Sequence, residues 1–364
     1  MNSAHELSTL IDALRTLRRD TTPGAALATL TRTRGSTFRR PGTRMLVLGD
    51  GRVVCELSGG CPQRDIVTQA QDVIASNLPR LIRYNADSGL DVLLEMGCGG
   101  ELEVLIEPLT TARTVDFVDT VAQCLDERRC ASLATLFAID GAVVMPQRML
   151  WRDHDVLYND INDPALTRSI VDAIAPATGK RTIMLCLPSA RGVVDVLVEP
   201  ISPPHALVVI GSSAAARPLL PLARALGWQT TLVDHDQARL QATPLPSGLH
   251  AVCATPGSLR DVLPLDAQSS VVVMTHNLEQ DIAYLGALRG APVAYLGALG
   301  SRDRVARMRD NPLLAGLHVH APAGLDIGSE TPEEIALAIA AEIMAVINNR
   351  GGSPLHDNEG AIHG

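Results

Sequence analysis

Residues 206–216 read Ala206-Leu-Val-Val-Ile-Gly211-Ser-Ser-Ala-Ala-Ala216, an apolar run that breaks on a glycine and opens into small residues. A run of this length suits a strand buried on both faces, and the glycine suits the tight turn from the first strand of a nucleotide-binding βαβ unit into its helix. Further apolar runs at Thr230–Val233, Ala251–Cys253, Val271–Met274, Val293–Leu296 and Leu317–His320 recur with helix-length spacers between them. That alternation predicts an α/β fold here, a Rossmann-like doubly wound parallel-sheet domain over 205–350. Its last helix is announced by Thr331-Pro332-Glu333-Glu334, a cap, a proline at the first helical position and a glutamate three residues after the cap.

The glycine fingerprint is altered. Gly211 is in place, alanine at the third glycine position is tolerated, but Ser213 stands where a pyrophosphate favours bare backbone. Asp234, at the end of the second strand, is positioned to hold a ribose hydroxyl. Three more loops fall at predicted strand ends, where such sheets bind ligands. They are Thr275-His276-Asn277, Gly297-Ala-Leu-Gly300-Ser301-Arg302 and Gly324-Leu-Asp326-Ile-Gly328. The second resembles an anion site, with glycines and a serine cap ahead of a helix bearing Arg302 and Arg304.

Upstream, Ile201-Ser-Pro-Pro-His205 is a seam, because two adjacent prolines fit neither a central strand nor a helix interior. Residues 1–200 read as one N-terminal α+β domain. A helix is predicted over Glu6–Arg18, strands over Ala25–Arg32, Arg44–Leu48 and Arg52–Leu57 with Gly49-Asp50-Gly51 as a hairpin turn, and a helix over Pro62–Ser76. Two segments echo each other, Glu103-Val-Leu-Ile-Glu-Pro-Leu109 and Asp195-Val-Leu-Val-Glu-Pro-Ile201. They are expected to be two strands of one sheet. The Gly-rich stretch 351–364 reads as a flexible tail.

Bulk properties remove several classes. Aromatics are 2% of the 364 residues, too few for the stacking platforms of single-stranded nucleic-acid binding. A net charge of −9 disfavours DNA and anionic membranes. No apolar stretch reaches the roughly 18 residues of a membrane span. Nothing at the start reads as a signal peptide, and seven cysteines without a C-x-x-C make neither a disulfide framework nor a zinc site. A cytoplasmic location is expected.

Against that negative background, residues 32–44 hold Arg32, Arg34, Arg39, Arg40 and Arg44 and no acid. Guanidinium forks match phosphate oxygens, so the run is a candidate anion site, with a solvated basic edge as the plain alternative. Two glycine-cysteine loops follow, Ser58-Gly59-Gly60-Cys61 and Gly97-Cys98-Gly99-Gly100. Cys61 precedes Pro62 at a predicted helix start, where the dipole favours a thiolate. Cys55, Cys124, Cys130, Cys186 and Cys253 are expected to be packing residues.

Taken in order, these motifs resemble the XdhC/CoxI family, accessory proteins of xanthine dehydrogenase and related molybdenum hydroxylases. The resemblance rests on Arg34-Gly-Ser36, Arg40-Pro-Gly42, Arg44-Met-Leu-Val47, Ser58-Gly-Gly-Cys61 and Gly97-Cys-Gly-Gly100 with its following Val-Leu-Ile-Glu-Pro. Thr275-His276, Tyr295-Leu-Gly-x-x-Gly-Ser301, Gly324-Leu-Asp-Ile-Gly328 and Thr331-Pro-Glu-Glu-Ile335 continue it. It departs from the family at the Ser212–Ala216 turn and at Gln63, where an acid is usual.

The resemblance implies a non-catalytic chaperone that binds molybdenum cofactor, as molybdopterin or its cytosine dinucleotide. The implied chaperone takes part in sulfurating the cofactor and inserts it into an apo molybdenum hydroxylase of xanthine dehydrogenase or aldehyde oxidoreductase type. A cysteine desulfurase and a cofactor cytidylyltransferase would be further partners, and a homodimer is left open. The site residues expected on this reading are Arg34, Ser36, Arg39, Arg40, Arg44, Ser58, Gly59, Gly60, Cys61, Cys98 and Gly99. Gly211, Ser213, Asp234, His276, Gly300, Ser301, Arg302 and Asp326 join them, with Cys61 or Cys98 as contacts to molybdenum or sulfur. Two other readings stand beside it. An NAD(P)-dependent oxidoreductase accounts for the second domain only, and a scaffold for hydroxylase assembly leaves the arginines and loop cysteines without a purpose.

Overall fold

The computed structural model describes residues 4–19, 24–35, 37–57, 61–85, 100–109, 116–174, 181–242 and 249–357. The chain divides into two compact units, 1–203 and 204–364.

The first unit is one module built twice. α1 (Ala4–Arg19), β1 (Ala25–Arg34), β2 (Arg44–Leu48), β3 (Val53–Val54), α2 (Cys61–Ser76), β4 (Arg80–Tyr84) and β5 (Glu101–Pro108) form the first copy. The second follows in the same order: α3 (Phe117–Asp126), β6 (Ala131–Ile139), β7 (Ala142–Arg152), β8 (Asp155–Asn159), α4 (Pro164–Ile174), β9 (Ile183–Ser189) and β10 (Gly192–Ile201). Each copy makes an antiparallel five-stranded sheet, ordered β3-β2-β1-β5-β4 in one and β8-β7-β6-β10-β9 in the other.

The equivalence extends to single residues. Thr29 lies opposite Arg44 and Leu27 opposite Glu107, just as Thr135 lies opposite Arg148 and Leu133 opposite Glu199. The β1–β5 register slips after Leu30 and the β6–β10 register after Leu136. The sequence agrees: Ala25-Ala-Leu-Ala-Thr-Leu30 matches Ala131-Ser-Leu-Ala-Thr-Leu136, and Arg44-Met-Leu matches Arg148-Met-Leu. The echoing segments are therefore β5 and β10, the same strand of the two copies. This corrects the expectation that they share a sheet.

Two buried ion pairs join the copies reciprocally. Arg44 of β2 reaches Glu199 of β10, and Arg148 of β7 reaches Glu107 of β5. This is the exchange of contacts that a two-fold relation produces. Alternation along β1 divides its side chains between two layers. Ala25 and Leu27 join a core shared by both copies with α1, α3, Leu133 and Leu150, while Ala26, Ala28 and Leu30 pack under α2. In the second copy Ala134 and Leu136 pack against α4 through Leu166, Ile170 and Ile174. The strand expected over Arg52–Leu57 shrinks to Val53–Val54.

The second unit is a parallel sheet of order β13-β12-β11-β14-β15. It runs β11 (Ala206–Ile210), α5 (Leu219–Ala225), β12 (Gln229–Asp234), α6 (Gln237–Ala242), β13 (His250–Cys253), α7 (Leu259–Val262), β14 (Ser269–Val273), α8 (Leu278–Ala287), β15 (Tyr295–Ala298), α9 (Arg302–Arg309) and α10 (Pro332–Ile347). The capping box of α10 forms as its sequence predicts. The sixth strand expected over 317–320 is reduced to a single bridge between His320 and Gly297, since Pro322 has no N–H with which to continue the ladder. In the segment read as a tail, Leu355–Asp357 form a short 3-10 turn, and residues beyond 357 lie outside the described ones. Among the described residues, no helix is long and apolar enough to cross a membrane.

Candidate functional site

In the first copy, three connections leave from one end of the sheet. β1 ends at Arg34 opposite Glu101, where β5 begins, and β4 ends at Tyr84 opposite Leu102. β3, antiparallel to β2, ends close to the start of that strand. The connections after β1, β3 and β4 hold Arg39, Arg40 and the glycine-cysteine motifs up to Cys61 at the start of α2, while Arg34 ends β1 and Arg44 begins β2. In the second copy two of the equivalents are two-residue turns, Asp140-Gly141 and Ala190-Arg191. Ser36, Ser58, Gly59, Gly60, Cys98 and Gly99 lie outside the described residues, as does the side chain of Cys61, whose backbone begins α2.

The arginine run separates into different roles. Arg44 is 5% exposed and its guanidinium is committed to Glu199, with Nη1 donating to Oε1 at 2.8 Å. Gly42, at φ +89°, is required beside it, because any Cβ there would run into the Glu199 carboxylate. Arg39 forks onto Glu6 at 2.7 and 3.1 Å. Arg32 joins Glu103 to Asp195 of the second copy, at 2.7 and 3.1 Å. The expected phosphate roles of Arg39 and Arg44 are therefore corrected: carboxylates 33 and 155 residues away hold them as scaffold. Arg34 and Arg40 are exposed.

A cavity of about 360 Å³ opens at this end, lined among others by Arg32, Arg34, Arg83, Asn85 and Glu101. Its floor is ordered by Glu103, which accepts from Thr31 Oγ1 at 2.9 Å, Arg32 at 2.7 Å and Arg83 at 2.8 Å. Tyr84 closes one side by donating to Asp65 at 2.7 Å, and burial pushes its phenol well above the usual range.

The cysteines outside the loops divide as well. Cys124 is buried and Cys55 half-buried, with burial and then Glu6 pushing the Cys55 thiol up to about 11. Cys130, Cys186 and Cys253 are exposed rather than packed. The last two sit on β9 and β13, edge strands with an open side.

The second unit has a cleft of about 360 Å³ at the strand ends, lined by Gly211, Ser213, Asp234 and His276 together with Arg217, His235, Arg239, Gln280 and Tyr284. Gly211, at φ +108°, has no room for a side chain, since a Cβ would stand 2.8 Å from Met274 O and Thr275 N. Ser213 is 9% exposed and its hydroxyl is an orphan among buried polar atoms. Asp234 differs from expectation. Its carboxylate accepts from Ser212 N at 3.0 Å, Ser212 Oγ at 2.7 Å and Asp236 N at 3.0 Å, and meets His235 at 3.1 Å. It braces the turn while lining the cleft. Burial alone would raise its carboxyl, but these bonds hold it below the ordinary carboxylate range.

Gly300, Ser301, Arg302 and Asp326 are not among the residues lining this cleft. Ser301 caps α9 by accepting from Arg304 N. Arg304, not Arg302, does the joining: it binds buried Asp281 and the carbonyls of Thr275 and His276. Arg217, His235 and Arg239 were not expected from the sequence. Their signal was only that they follow strand ends by a few residues.

Comparison with known proteins gives a consistent result. The profile described as "XdhC and CoxI family" matches residues 19–85, and that described as "XdhC Rossmann domain" matches residues 207–343. The chain is 26% identical over 343 residues to a protein of Bacillus subtilis described as a probable xanthine dehydrogenase subunit, covering 92% of this chain and 96% of that protein. It is 24% identical over 330 residues to "Molybdenum cofactor insertion chaperone PaoD" of Escherichia coli, covering 89% and 83%. A crystal structure described as a xanthine dehydrogenase of Bacillus halodurans superposes with a TM-score of 0.74 at 26% identity, covering 95% of this chain and 98% of that one.

Proposed function

We propose, for a chain that belongs to the XdhC/CoxI family, that it is a non-catalytic maturation factor: it binds molybdenum cofactor and delivers it to an apo molybdenum hydroxylase. The observation that carries this is the asymmetry of the duplicated unit. The fold closes with two-residue turns in one copy, so the long arginine- and glycine-cysteine-bearing loops of the other serve something besides folding. The names of the Bacillus subtilis and Escherichia coli relatives support the same reading.

The residues present fit a phosphate-bearing pterin. Arg34 and Asn85 offer donors at a cavity of about 360 Å³, while Glu103 neutralises Arg32 and Arg83 at its base. On this reading Arg34 and Arg40 hold the phosphate. Cys61 and Cys98 would be the thiols nearest molybdenum or the sulfur passed to it, with a cysteine desulfurase as sulfur source. The bound group supplies the redox chemistry only after transfer to the client. In the second unit, the orphan Ser213 hydroxyl with Arg217 and Arg239 suits the phosphates of a nucleotide moiety, such as that of the cytosine dinucleotide form a cytidylyltransferase would supply. Asp234 spends its carboxylate largely on the Ser212 turn, which weighs against the usual ribose contact of an NAD(P) oxidoreductase. No dedicated nucleic-acid or membrane partner belongs to this account, and the protein is expected to operate in the cytoplasm.

Mass spectrometry of ligand released from protein purified anaerobically tests the reading. Molybdopterin or its cytosine dinucleotide is the expected mass. A protein that takes no pterin but gives saturable NADH fluorescence would be an oxidoreductase instead.

A further inference from the structure

We infer that Phe38, in the loop between β1 and β2, is the anchor by which the chain docks on its client, entering an apolar pocket rimmed by carboxylates. The inference rests on the maturation reading and names the contact surface at that site. The chain has three phenylalanines, and Phe117 and Phe137 are 6% and 0% exposed. Phe38 is 77% exposed. Single exposed apolar side chains are ordinary, so exposure alone decides nothing.

Three further facts do. First, the loop is ordered around the ring. Thr37 Oγ1 donates to Arg39 O at 2.9 Å, Thr43 Oγ1 to Arg40 O at 2.8 Å, and Gly42 N to Leu30 O at 2.7 Å. Arg39 is fixed on Glu6 with its guanidinium 5.7 Å from the ring centre. Much of the entropy cost of presenting the ring is thus met before any partner arrives. Second, the other copy makes this connection with Asp140-Gly141, so neither the loop nor its phenylalanine is needed to close the sheet. Third, exposed Arg34 and Arg40 lie four residues before and two residues after Phe38 in a chain of net charge −9. An aromatic beside arginines is the usual composition of an interface hot spot, and it selects an acidic counterpart.

The ring is not among the residues lining the neighbouring cavity. A factor that hands over a ligand must bring its site against the entrance of the client, and the loop bordering that site is where the two surfaces meet. The client hydroxylase is accordingly assigned as the occupant.

The test uses the full chain and a purified apo molybdenum hydroxylase from the same organism, with association followed by biolayer interferometry. Phe38→Ala should weaken association by about 30-fold or more. Molybdopterin affinity by equilibrium dialysis should stay unchanged. Val193→Ala, at an exposed apolar position of the second copy, should alter neither. Unchanged association of Phe38→Ala overturns the anchor and leaves the maturation reading intact. Parallel loss of molybdopterin affinity overturns it in favour of a stacking platform for the ligand. Loss of a dimer in sedimentation, with association unchanged, overturns it in favour of a second copy of this chain. A wild type that binds molybdopterin but not the hydroxylase overturns the anchor and the client half of the reading, while one that binds neither overturns both.

Discussion

The two copies of the module in the first unit share strand order, register and a reciprocal pair of buried salt bridges, and they differ at one end of one sheet. There the first copy extends the connections after β1 and β4 over residues 35–43 and 85–100, where the second has Asp140-Gly141 and Ala190-Arg191. A duplicated fold supplies its own control. What both copies keep is needed to fold, and what one copy has added is free to serve a ligand. Arg44 and Arg34 show how closely the two classes are interleaved: ten residues apart in one basic run, the first is shared with Arg148 of the other copy and buried, the second is exposed beside a cavity.

The largest expected effect tests whether the copies are equivalent as scaffold. Arg44→Ala and Arg148→Ala each leave a buried glutamate without its partner, and each should cost about 3–5 kcal/mol in urea unfolding. Replacing both members, as in Arg44→Met with Glu199→Leu, should recover most of that loss, because the desolvation cost goes with the charges. A large effect from one arginine and none from the other would break the equivalence.

A smaller effect tests where the copies diverge. Gly42 and Gly141 both have positive φ, +89° and +78°, but only Gly42 faces an obstacle, the Glu199 carboxylate. Gly141→Ala should cost about 1 kcal/mol for the left-handed backbone alone, and Gly42→Ala about 2–4 kcal/mol, because it also displaces the ion pair. Equal costs in thermal unfolding would mean that the Arg44–Glu199 contact tolerates displacement.

Much of this was legible in the sequence, and the failures have physical causes. The parallel sheet and α10 follow from local periodicity and capping chemistry, which need no distant partner. The duplication left a visible trace in Val-Leu-Ile-Glu-Pro and Val-Leu-Val-Glu-Pro, but a strand pattern does not say which sheet its strand joins. β5 and β10 were therefore expected in one sheet. The arginine run announced positive charge correctly, yet the glutamate that neutralises Arg44 is 155 residues away, beyond any local signal. Asp234 was at the predicted strand end, but its commitment depends on Ser212, the neighbour of the Ser213 that stands where the fingerprint has glycine. There Ser212 supplies the bond that closes the turn.

The central claim is that ligand binding belongs to the loop end of the first copy. The most direct measurement is equilibrium dialysis of molybdopterin at fixed salt against Arg34→Ala/Arg40→Ala and against Arg191→Ala, whose arginine sits in the β9–β10 turn of the second copy, the counterpart of the β4–β5 connection. Charge-assisted bonds to phosphate are worth about 1.5–3 kcal/mol each, so the double variant should lose roughly 100-fold or more in affinity with unchanged stability. Arg191→Ala should bind as the wild type does. Equal affinity for all three proteins would contradict the account and return Arg34 and Arg40 to a solvated edge.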